Sequence, residues 1–541
     1  MDATMRFDTA RVGAMPLVCS MLDKLGLSDS VNELAPYQGD VPLGTLVEVM
    51  VLNRLLQPKA MFKIGQWAEN ASVTDYFGLT AEQLNDDRLG RALERIAEHG
   101  DQIQTALVLA AISEFDLDVS QIHYDITSVE LYGAYESDEE QPPSPLPAYG
   151  HTKSGRKNVK QIQQGLSVCA DGGVPICQTP LDGNASESGT HGDHLKKLEQ
   201  TITRGDFLYV ADTKLDTKEN LLNIAARKGK FLCGGAAQPH YKERFLGLRG
   251  NLRKIDYCSK SQRNWPLEKR DEYKAVECEE VVTGKVDGKQ VRLKYRLIFI
   301  WSERKARDEA KTRDRHIAKI REEFDKIVLN LNKFSLKTEE AVVRRLEKAK
   351  SRYNEGSVFE YELRKSKGKL QLTYHVDSKA LSRLKQLEGM FILKTNLPKS
   401  NNPLVRVLEK YRDQTCVERR FGNMKGPLAV APMFLKKPER MAGLLYILVW
   451  ALMVSALMER GVRRSLGGKP MYGLYPENRP SPSPTSRAIF ECFENVAIVI
   501  MKYQGESHRR LADLTPTQRE IVNLLGIPPA SMTTYKRRCG M

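Results

Sequence analysis

Residues 122–133 read IHYDITSVELYG, and the alternation of their side chains indicates the fold class of the chain. Ile122, Tyr124 and Ile126 fall on one side of an extended segment, whereas Asp125 falls on the other. A period of two is typical of a strand with one buried face. Asp125 therefore lies in the middle of a predicted strand, where aspartate is unfavourable by propensity and a specific reason for its presence is expected.

Three stretches downstream extend this strand into an α/β pattern. Residues 162–169 and 174–180 predict two strands of a hairpin joined by the turn Asp171-Gly172-Gly173. Residues 207–211, FLYVA, form an uninterrupted apolar run typical of a buried parallel strand, and the run ends on Asp212. A carboxylate at the carboxyl end of such a strand lies where open α/β sheets place their sites.

The stretch YRDQTCVERRFGNMK, from Tyr411 to Lys425, supplies a third acid, Glu418, on a predicted helix. Tyr411, Glu418 and Lys425 are seven residues apart. At about 3.6 residues per turn, this spacing places all three on one stripe of the helix. One helix cannot coordinate an ion alone, but Asp125 and Asp212 lie on two other elements of the same pattern. Magnesium prefers oxygen ligands, and two such ions clamp the attacking and leaving oxygens of a phosphoryl displacement. The three carboxylates are therefore candidate ligands of two divalent ions.

Each acid also has a purely structural interpretation. The alternatives are that Asp125 pairs with a neighbour such as Lys160, that Asp212 caps a helix beginning near Thr217, and that Glu418 forms a helix ion pair with Lys425 or Arg419.

The charge of the chain favours a polyanionic partner. The 541 residues carry a formal net charge of +15, which suits DNA, RNA or an anionic surface. The nine cysteines are scattered and contain no C-x-x-C pair, which indicates reduced thiols and argues against a zinc knuckle. No apolar leader stands at the N-terminus, so a cytoplasmic location is expected. The apolar run Met441–Met458 has the minimum length of a membrane span. It follows a charged segment and contains several small residues, which favours a helix buried in a soluble core.

Composition shifts divide the chain into five predicted segments. They are a helical N-terminal DNA-binding domain (1–115), the first part of a catalytic core (116–245), an α+β insertion (246–384), the second part of the core (385–460) and a helical C-terminal tail (461–541). The tail ends in the basic residues Lys536, Arg537 and Arg538, which are either a DNA-binding arm or a solvated terminus.

Two local patterns admit both a functional and a structural interpretation. The segment Asp86–Glu98 is either a recognition helix that uses its arginines or a solvated charged face. His191 and His194 have the spacing of metal ligands, but the glycines around them favour a loop.

Taken together, the three acid motifs resemble those of the DDE transposases of bacterial insertion sequences, in the group with a Y-x2-R-x3-E-x6-K signature and an interrupted RNase H-like core. The resemblance runs from about His123 to Glu459. The motifs that carry it are Tyr124-Asp125-Ile126-Thr127, Val210-Ala211-Asp212, and Tyr411, Glu418 and Lys425, with GHTKSGR, DGGVP and DGNASE between the first two acids.

The resemblance implies an RNase H-like mixed sheet flanked by helices, with an α+β insertion and an all-α N-terminal domain. It implies that Asp125, Asp212 and Glu418 bind two Mg²⁺ or Mn²⁺ ions, and that the enzyme nicks DNA at transposon ends and transfers the 3′ hydroxyl into target DNA. A homodimer on DNA, at the bacterial nucleoid, is also implied. The expected DNA contacts are Tyr411, Lys425, Arg419, Arg156 and Lys160.

The chain departs from the signature at two positions. Gln414 stands where the signature has arginine, and Gly422 follows Phe421 where a Phe-Arg pair is usual. Both changes weaken expected phosphate contacts and leave the carboxylates whole. Two rival functions therefore remain: a catalytically impaired relative that binds DNA or inhibits transposition, and a nuclease that cleaves without strand transfer.

Overall fold

The computed structural model describes residues 6–132, 135, 145–150, 156, 158–430, 433, 435–503 and 506–528. The basic end Lys536–Arg538 and most of the GHTKSGR motif lie outside these residues. The chain forms two compact units, which consist of residues 1–230 with 412–541 and of residues 231–411. Both units contain strands and helices, and the mixed α/β class is confirmed.

The α-helices are α1 Met15–Leu25, α2 Leu27–Leu34, α3 Leu43–Leu56, α4 Ile64–Asn70, α5 Val73–Phe77, α6 Asp86–Phe115, α7 His191–Ile202, α8 Lys218–Ala226, α9 Pro239–Leu248, α10 Glu303–Leu329, α11 Glu339–Lys350, α12 Ser378–Leu387, α13 Leu404–Arg412, α14 Thr415–Lys425, α15 Pro438–Leu466, α16 Ser486–Cys492 and α17 Pro516–Leu524.

The strands are β1 Arg6–Arg11, β2 Gln121–Glu130, β3 Gln161–Cys169, β4 Pro175–Leu181, β5 Leu208–Ala211, β6 Lys230–Gly235, β7 Arg253–Ile255, β8 Tyr273–Val286, β9 Lys289–Ser302, β10 Phe359–Ser366, β11 Lys369–Val376, β12 Met390–Thr395, β13 Ala497–Tyr503 and β14 Glu506–Leu511.

The main strands of the first unit lie in the order β4-β3-β2-β5. β3 runs antiparallel to both β2 and β4, and β5 runs parallel to β2. The sharp turn between β3 and β4 is possible because Gly172 and Gly173 both adopt positive φ, at 84° and 64°. The strands predicted from alternation and from the FLYVA run are thus present, and β2 has neighbours on both sides.

Helix α15 forms the centre of the first unit. Its apolar segment is long and hydrophobic enough for a membrane span, but the whole segment is buried inside the protein, as the sequence analysis expects. It packs against α6, α3 and β4. Trp450 Nε1 donates to Gln104 Oε1 (2.9 Å), and Gln104 Nε2 donates to the Ile176 carbonyl (3.1 Å). One buried glutamine on α6 therefore connects the helix to the sheet.

The chain ends meet in a second, three-stranded sheet of the order β1-β13-β14. Arg6 lies opposite Lys502 and Arg11 lies opposite Ala497. The predictions of an all-α N-terminal segment and of a helical C-terminal tail are corrected here, since each contributes strands. The alternation in these short strands is interrupted by charged residues, and only the long-range pairing makes them strands.

The second unit contains the strand order β6-β12-β9-β8-β7 and a separate β10-β11 hairpin. β8 and β9 pair along their whole lengths, from Tyr273 opposite Ser302 to Val286 opposite Lys289. One apolar cluster, around Phe324 and Phe359, lies between the α10–α11 helical hairpin and β10–β11. The predicted insertion, 246–384, falls inside this unit, whose limits lie outside it on both sides.

Candidate active site

Asp125 lies on β2, and Asp212 lies directly after β5, the parallel strand beside β2 in the first unit. The two strands pair with a constant offset, from Gln121 opposite Leu208 to His123 opposite Val210. Asp125 follows His123 by two residues, and Asp212 follows Val210 by two residues, so the acids stand equally far beyond the last paired residues. Side chains two positions apart in an extended chain point to the same side, so each acid continues the side of His123 or Val210.

One oxygen of each aspartate accepts a local backbone hydrogen bond. Asp125 Oδ1 accepts from the Ile126 amide (2.8 Å), and Asp212 Oδ1 accepts from the Lys214 amide (2.9 Å). Asp212 thereby caps the short 3-10 turn after β5 rather than the helix α8, which is capped by Thr217. Both aspartates are half-buried. These bonds restrict the rotation of the carboxylate of Asp125 in the middle of β2 and of Asp212 directly after β5.

The third acidic motif is not one helix. α13 ends at Arg412 and α14 begins at Thr415, and the residues between them make i→i−3 bonds from the Cys416 amide to Asp413 (2.9 Å) and from the Val417 amide to Gln414 (3.2 Å). The predicted stripe of three residues is therefore corrected. Glu418 and Lys425 share α14, whereas the half-buried Tyr411 belongs to α13 and to the second unit.

The interruption between α13 and α14 coincides with a side-chain contact to strand β2. Gln414 Nε2 donates to the Tyr124 carbonyl (2.9 Å), and Gln414 Oε1 lies 3.2 Å from His123 Nδ1. The pairing between β2 and β5 stops at His123, so Gln414 supplies the donor for the next carbonyl of β2. Glu418 lies one helical turn after Gln414 and on the same side of the helix. The Glu418 side chain is exposed.

The predicted DNA-contact cations occupy two places. Arg419 and Lys425 are exposed on α14. Arg156 and Lys160 lie beyond the carboxyl end of β2, where Arg156 donates to the Tyr132 hydroxyl (2.7 Å) and Lys160 Nζ donates to the Tyr135 carbonyl (2.6 Å). The second pair therefore already makes contacts within the protein.

The three acids approach from adjacent elements but do not form a closed ligand set. Within the described ranges, no three histidine, cysteine, aspartate or glutamate side chains are arranged to hold a metal ion. Asp125 and Asp212 stand equally far beyond the last paired residues of β2 and β5, and Glu418 extends from α14 on three rotatable side-chain bonds. The donor set consists of hard carboxylate oxygens, which fits Mg²⁺ or Mn²⁺ by chemistry.

His191 and His194 occupy the first turns of α7, not a loop, and both are buried. His194 Nε2 lies 2.7 Å from Ser167 Oγ, and its Nδ1 lies 2.8 Å from Thr179 Oγ1, so both ring nitrogens bond hydroxyl groups. Burial lowers the pKa of His191 to about 4 and places that of His194 well below its usual value. Neutral, hydrogen-bonded rings are core residues and explain the spacing without a metal.

The arginines of α6 also make contacts within the protein. Arg88 pairs with Asp40 at 2.7 Å and Arg91 pairs with Asp87 at 2.5 Å, while Arg95 donates to the Pro36 carbonyl (2.7 Å). The predicted Asp86–Glu98 segment is only the beginning of α6, which extends to Phe115. These contacts favour the structural interpretation of its charge pattern.

A buried ion pair between α14 and α15 was not predicted from the sequence. Arg420 on α14 lies 3.0 Å from Glu459 on α15, and both side chains are almost fully buried. Burial alone would raise the pKa of Glu459, but Arg420, Arg463 and the Ser486 amide together lower it below its usual value. The sequence shows an arginine at position 420, two residues after Glu418. The burial of its side chain follows only from the fold.

Comparison with known proteins adds two similarities. A family model described as a domain of unknown function, DUF4277, matches residues 7–109. The chain is also similar to a solved chain described as the cryo-EM structure of piggyBac transposase synaptic complex with hairpin DNA, at 10% sequence identity and a TM-score of 0.38. That match covers 90% of this chain and 82% of the other. None of the curated proteins matches the chain.

Proposed function

We propose that this protein is a DDE-type DNA transposase of a bacterial insertion sequence, working in the cytoplasm on the nucleoid. The observation that carries the proposal is the matching position of Asp125 and Asp212, each two residues beyond the last pair of the parallel strands β2 and β5, with α14 anchored to β2 by Gln414. The order β4-β3-β2-β5, with β5 parallel to β2, supports the RNase H-like core that the motif resemblance implies.

Asp125, Asp212 and Glu418 would hold two Mg²⁺ or Mn²⁺ ions. When bound, such ions lower the pKa of water and neutralise charge on the attacked phosphate. Cleavage breaks the bond between phosphorus and O3′ at the transposon end, with the water oxygen entering and a 3′ hydroxyl leaving. In strand transfer this hydroxyl attacks a target phosphate and displaces the target O3′, so the number of phosphodiester bonds is conserved.

The cations of the chain serve DNA binding in this proposal. Lys425 and Arg419, exposed on the acidic helix, neutralise phosphates beside the reacting group. Tyr411 contacts the DNA backbone, and Arg156 and Lys160 bind phosphates beyond the end of β2. Transposon-end and target DNA are the expected partners, bound by a homodimer.

The test is DNA cleavage and joining by single-site variants. The substrate is a duplex that carries the inverted repeats flanking the gene, incubated with Mg²⁺ and a supercoiled target. Asp125→Asn, Asp212→Asn and Glu418→Gln each remove one carboxylate charge and should lower nicking by on the order of 10³-fold or more, with DNA binding retained. Asp193→Asn, an exposed aspartate on α7, is the matched control and should nick like the wild type.

Each other outcome has a definite meaning. Normal nicking by Glu418→Gln or by either aspartate variant contradicts the assignment of the three acids. Wild-type protein that cuts but never joins the 3′ hydroxyl to target DNA is a nuclease. Wild-type protein that binds the ends without cutting them is a DNA-binding relative.

A further inference from the structure

Arg420 lies on the opposite side of α14 from Glu418. Two residues correspond to about 200° around a helix, so the exposed Glu418 and the buried Arg420 point in nearly opposite directions. The Arg420 residue retains 2% of its exposure. A guanidinium buried to this extent requires partners that satisfy its charge and its donors.

Three acceptors from two segments surround the Arg420 guanidinium. Its Nε donates to the Gly173 carbonyl (2.9 Å), and its Nη2 donates to the Gly172 carbonyl (2.7 Å) and to Glu459 Oε2 (3.0 Å). The positive φ of both glycines belongs to the turn that presents these two consecutive carbonyls. The planar fork of arginine matches this arrangement, whereas a lysine ammonium does not.

The other oxygen of Glu459 extends the connection to the C-terminal segment. Glu459 Oε1 accepts from the Ser486 amide (2.9 Å) and hydroxyl (3.2 Å) at the start of α16. Four segments of the first unit thus meet at one ion pair, which are the β3–β4 turn, α14, α15 and the first turn of α16.

We propose that Arg420 is a positioning residue that fixes the rotation of α14 and thereby directs Glu418 toward Asp125 and Asp212. The inference rests on the proposed function, because it concerns the third acid of that site. Gln414, the residue before α14, anchors only the beginning of the helix, and the Arg420 contacts supply a second anchor on a different side of it. Two anchors on different sides restrict rotation about the helix axis, which one anchor leaves possible.

The main test is Arg420→Lys, which keeps the charge and removes the fork. Nicking should fall about 10- to 100-fold, and the Mg²⁺ concentration for half-maximal nicking should rise at least about fivefold. Without any metal, hydrogen exchange in residues 415–425 should be faster than in the wild type. DNA binding should stay within about twofold of wild type.

A second variant guards against a folding defect. Arg420→Met combined with Glu459→Met replaces the pair by apolar side chains of similar length, a change that buried ion pairs often tolerate. This double variant leaves no unpaired charge, and well below its own melting temperature it should still show fast exchange in 415–425 and the raised Mg²⁺ requirement. Arg487→Lys, in an exposed pair with Glu491, is the matched control and should leave all three measurements unchanged.

The inference is overturned if Arg420→Lys and the double variant retain wild-type exchange in 415–425 and wild-type Mg²⁺ dependence. It is also overturned if nicking falls only in proportion to a lowered melting temperature, since Arg420 would then be merely structural. Normal nicking by Glu418→Gln in the same assay overturns the proposed function itself, whatever Arg420→Lys does, and the two failures are thereby distinguished.

Discussion

Gln414 illustrates at the residue scale how a departure from a sequence signature acquires a role. Its neutral amide donates to the Tyr124 carbonyl and approaches the His123 ring, both next to Asp125. An arginine at 414 would carry charge toward phosphate, whereas the glutamine satisfies a strand carbonyl beyond the end of the β5 pairing. Gln414, which departs from the signature, is therefore one of the two anchors of α14.

Residue-scale chemistry also makes the stability of the first unit depend on pH. Burial lowers the pKa of His191 to about 4, below the value of about 6.5 expected when unfolded. The unfolded chain therefore binds more protons between these values, and stability falls as pH falls from about 6.5 toward 4. At about 1.4 kcal/mol per pH unit, we expect His191 alone to account for a loss of roughly 2 kcal/mol between pH 7 and pH 5.

His191→Gln removes one titrating ring and keeps a donor for the Tyr209 hydroxyl, 3.2 Å from His191 Nδ1. Urea unfolding followed by circular dichroism at both pH values should show a smaller acid loss in this variant. His240→Gln, at an exposed histidine of the second unit, is the control and should keep the wild-type difference. An equal acid loss in His191→Gln would contradict the contribution assigned to the buried ring.

At the scale of elements, the sheet and the buried helix follow local patterns, but their fit depends on small residues. Gly443 on α15 faces the backbone of α6, and a Cβ at this position would collide with the Leu93 carbonyl. Backbone cannot yield as a flexible side chain does, so the close approach of the two helices requires glycine here. The composition of the run predicts its burial, and this contact determines which helix it packs against.

Alanine substitutions at Gly443 and at Gly422 should change the stability of the protein in opposite directions. Gly443→Ala overpacks the α15–α6 contact and should destabilise the protein by about 1–3 kcal/mol. Gly422→Ala, on the exposed side of α14 with nothing within 4 Å of the added methyl group, should stabilise it by about 0.5–1 kcal/mol. Melting temperatures of both variants check the pair. Equal effects of the two substitutions would contradict the packing argument.

At the scale of the whole chain, the two ends of the first unit are held by one another. β1 pairs with β13, so residues near the N-terminus depend on strands almost five hundred residues away. Arg11 also donates to the Glu494 carbonyl (2.8 Å), just before β13 begins. The N-terminal strand is therefore expected to order only when the C-terminal segment is present.

Truncation tests this dependence. A chain that ends at residue 496 lacks β13 and β14, so trypsin should cleave after Arg11 at least about tenfold faster than in the full chain, because local opening governs cleavage. A chain that ends at residue 528 keeps both strands and is the control. N-terminal sequencing of timed digests measures the rate. Equal rates in the two truncated chains would show that β1 is ordered without its partner.

The sequence by itself determined the presence of β2 to β5, the burial of the Met441–Met458 run, and the strand, strand end and helix that carry the three acids. These features depend on side-chain period, on apolar runs and on turn residues, which are local properties of the chain. The position of Asp212 directly after a buried strand is of this kind. The mixed α/β class could therefore be predicted without any structure.

Only the tertiary structure decided which contacts fix the position of α14. The break before Thr415, the contact of Gln414 with β2 and the buried Arg420–Glu459 pair all need partners from distant parts of the chain. The sequence of a charged helix does not show whether an arginine two positions after a glutamate, such as Arg420, is solvated or buried. Its role depends on desolvation and on the carbonyls of Gly172 and Gly173, which are brought to it only when β3, β4 and α15 pack together.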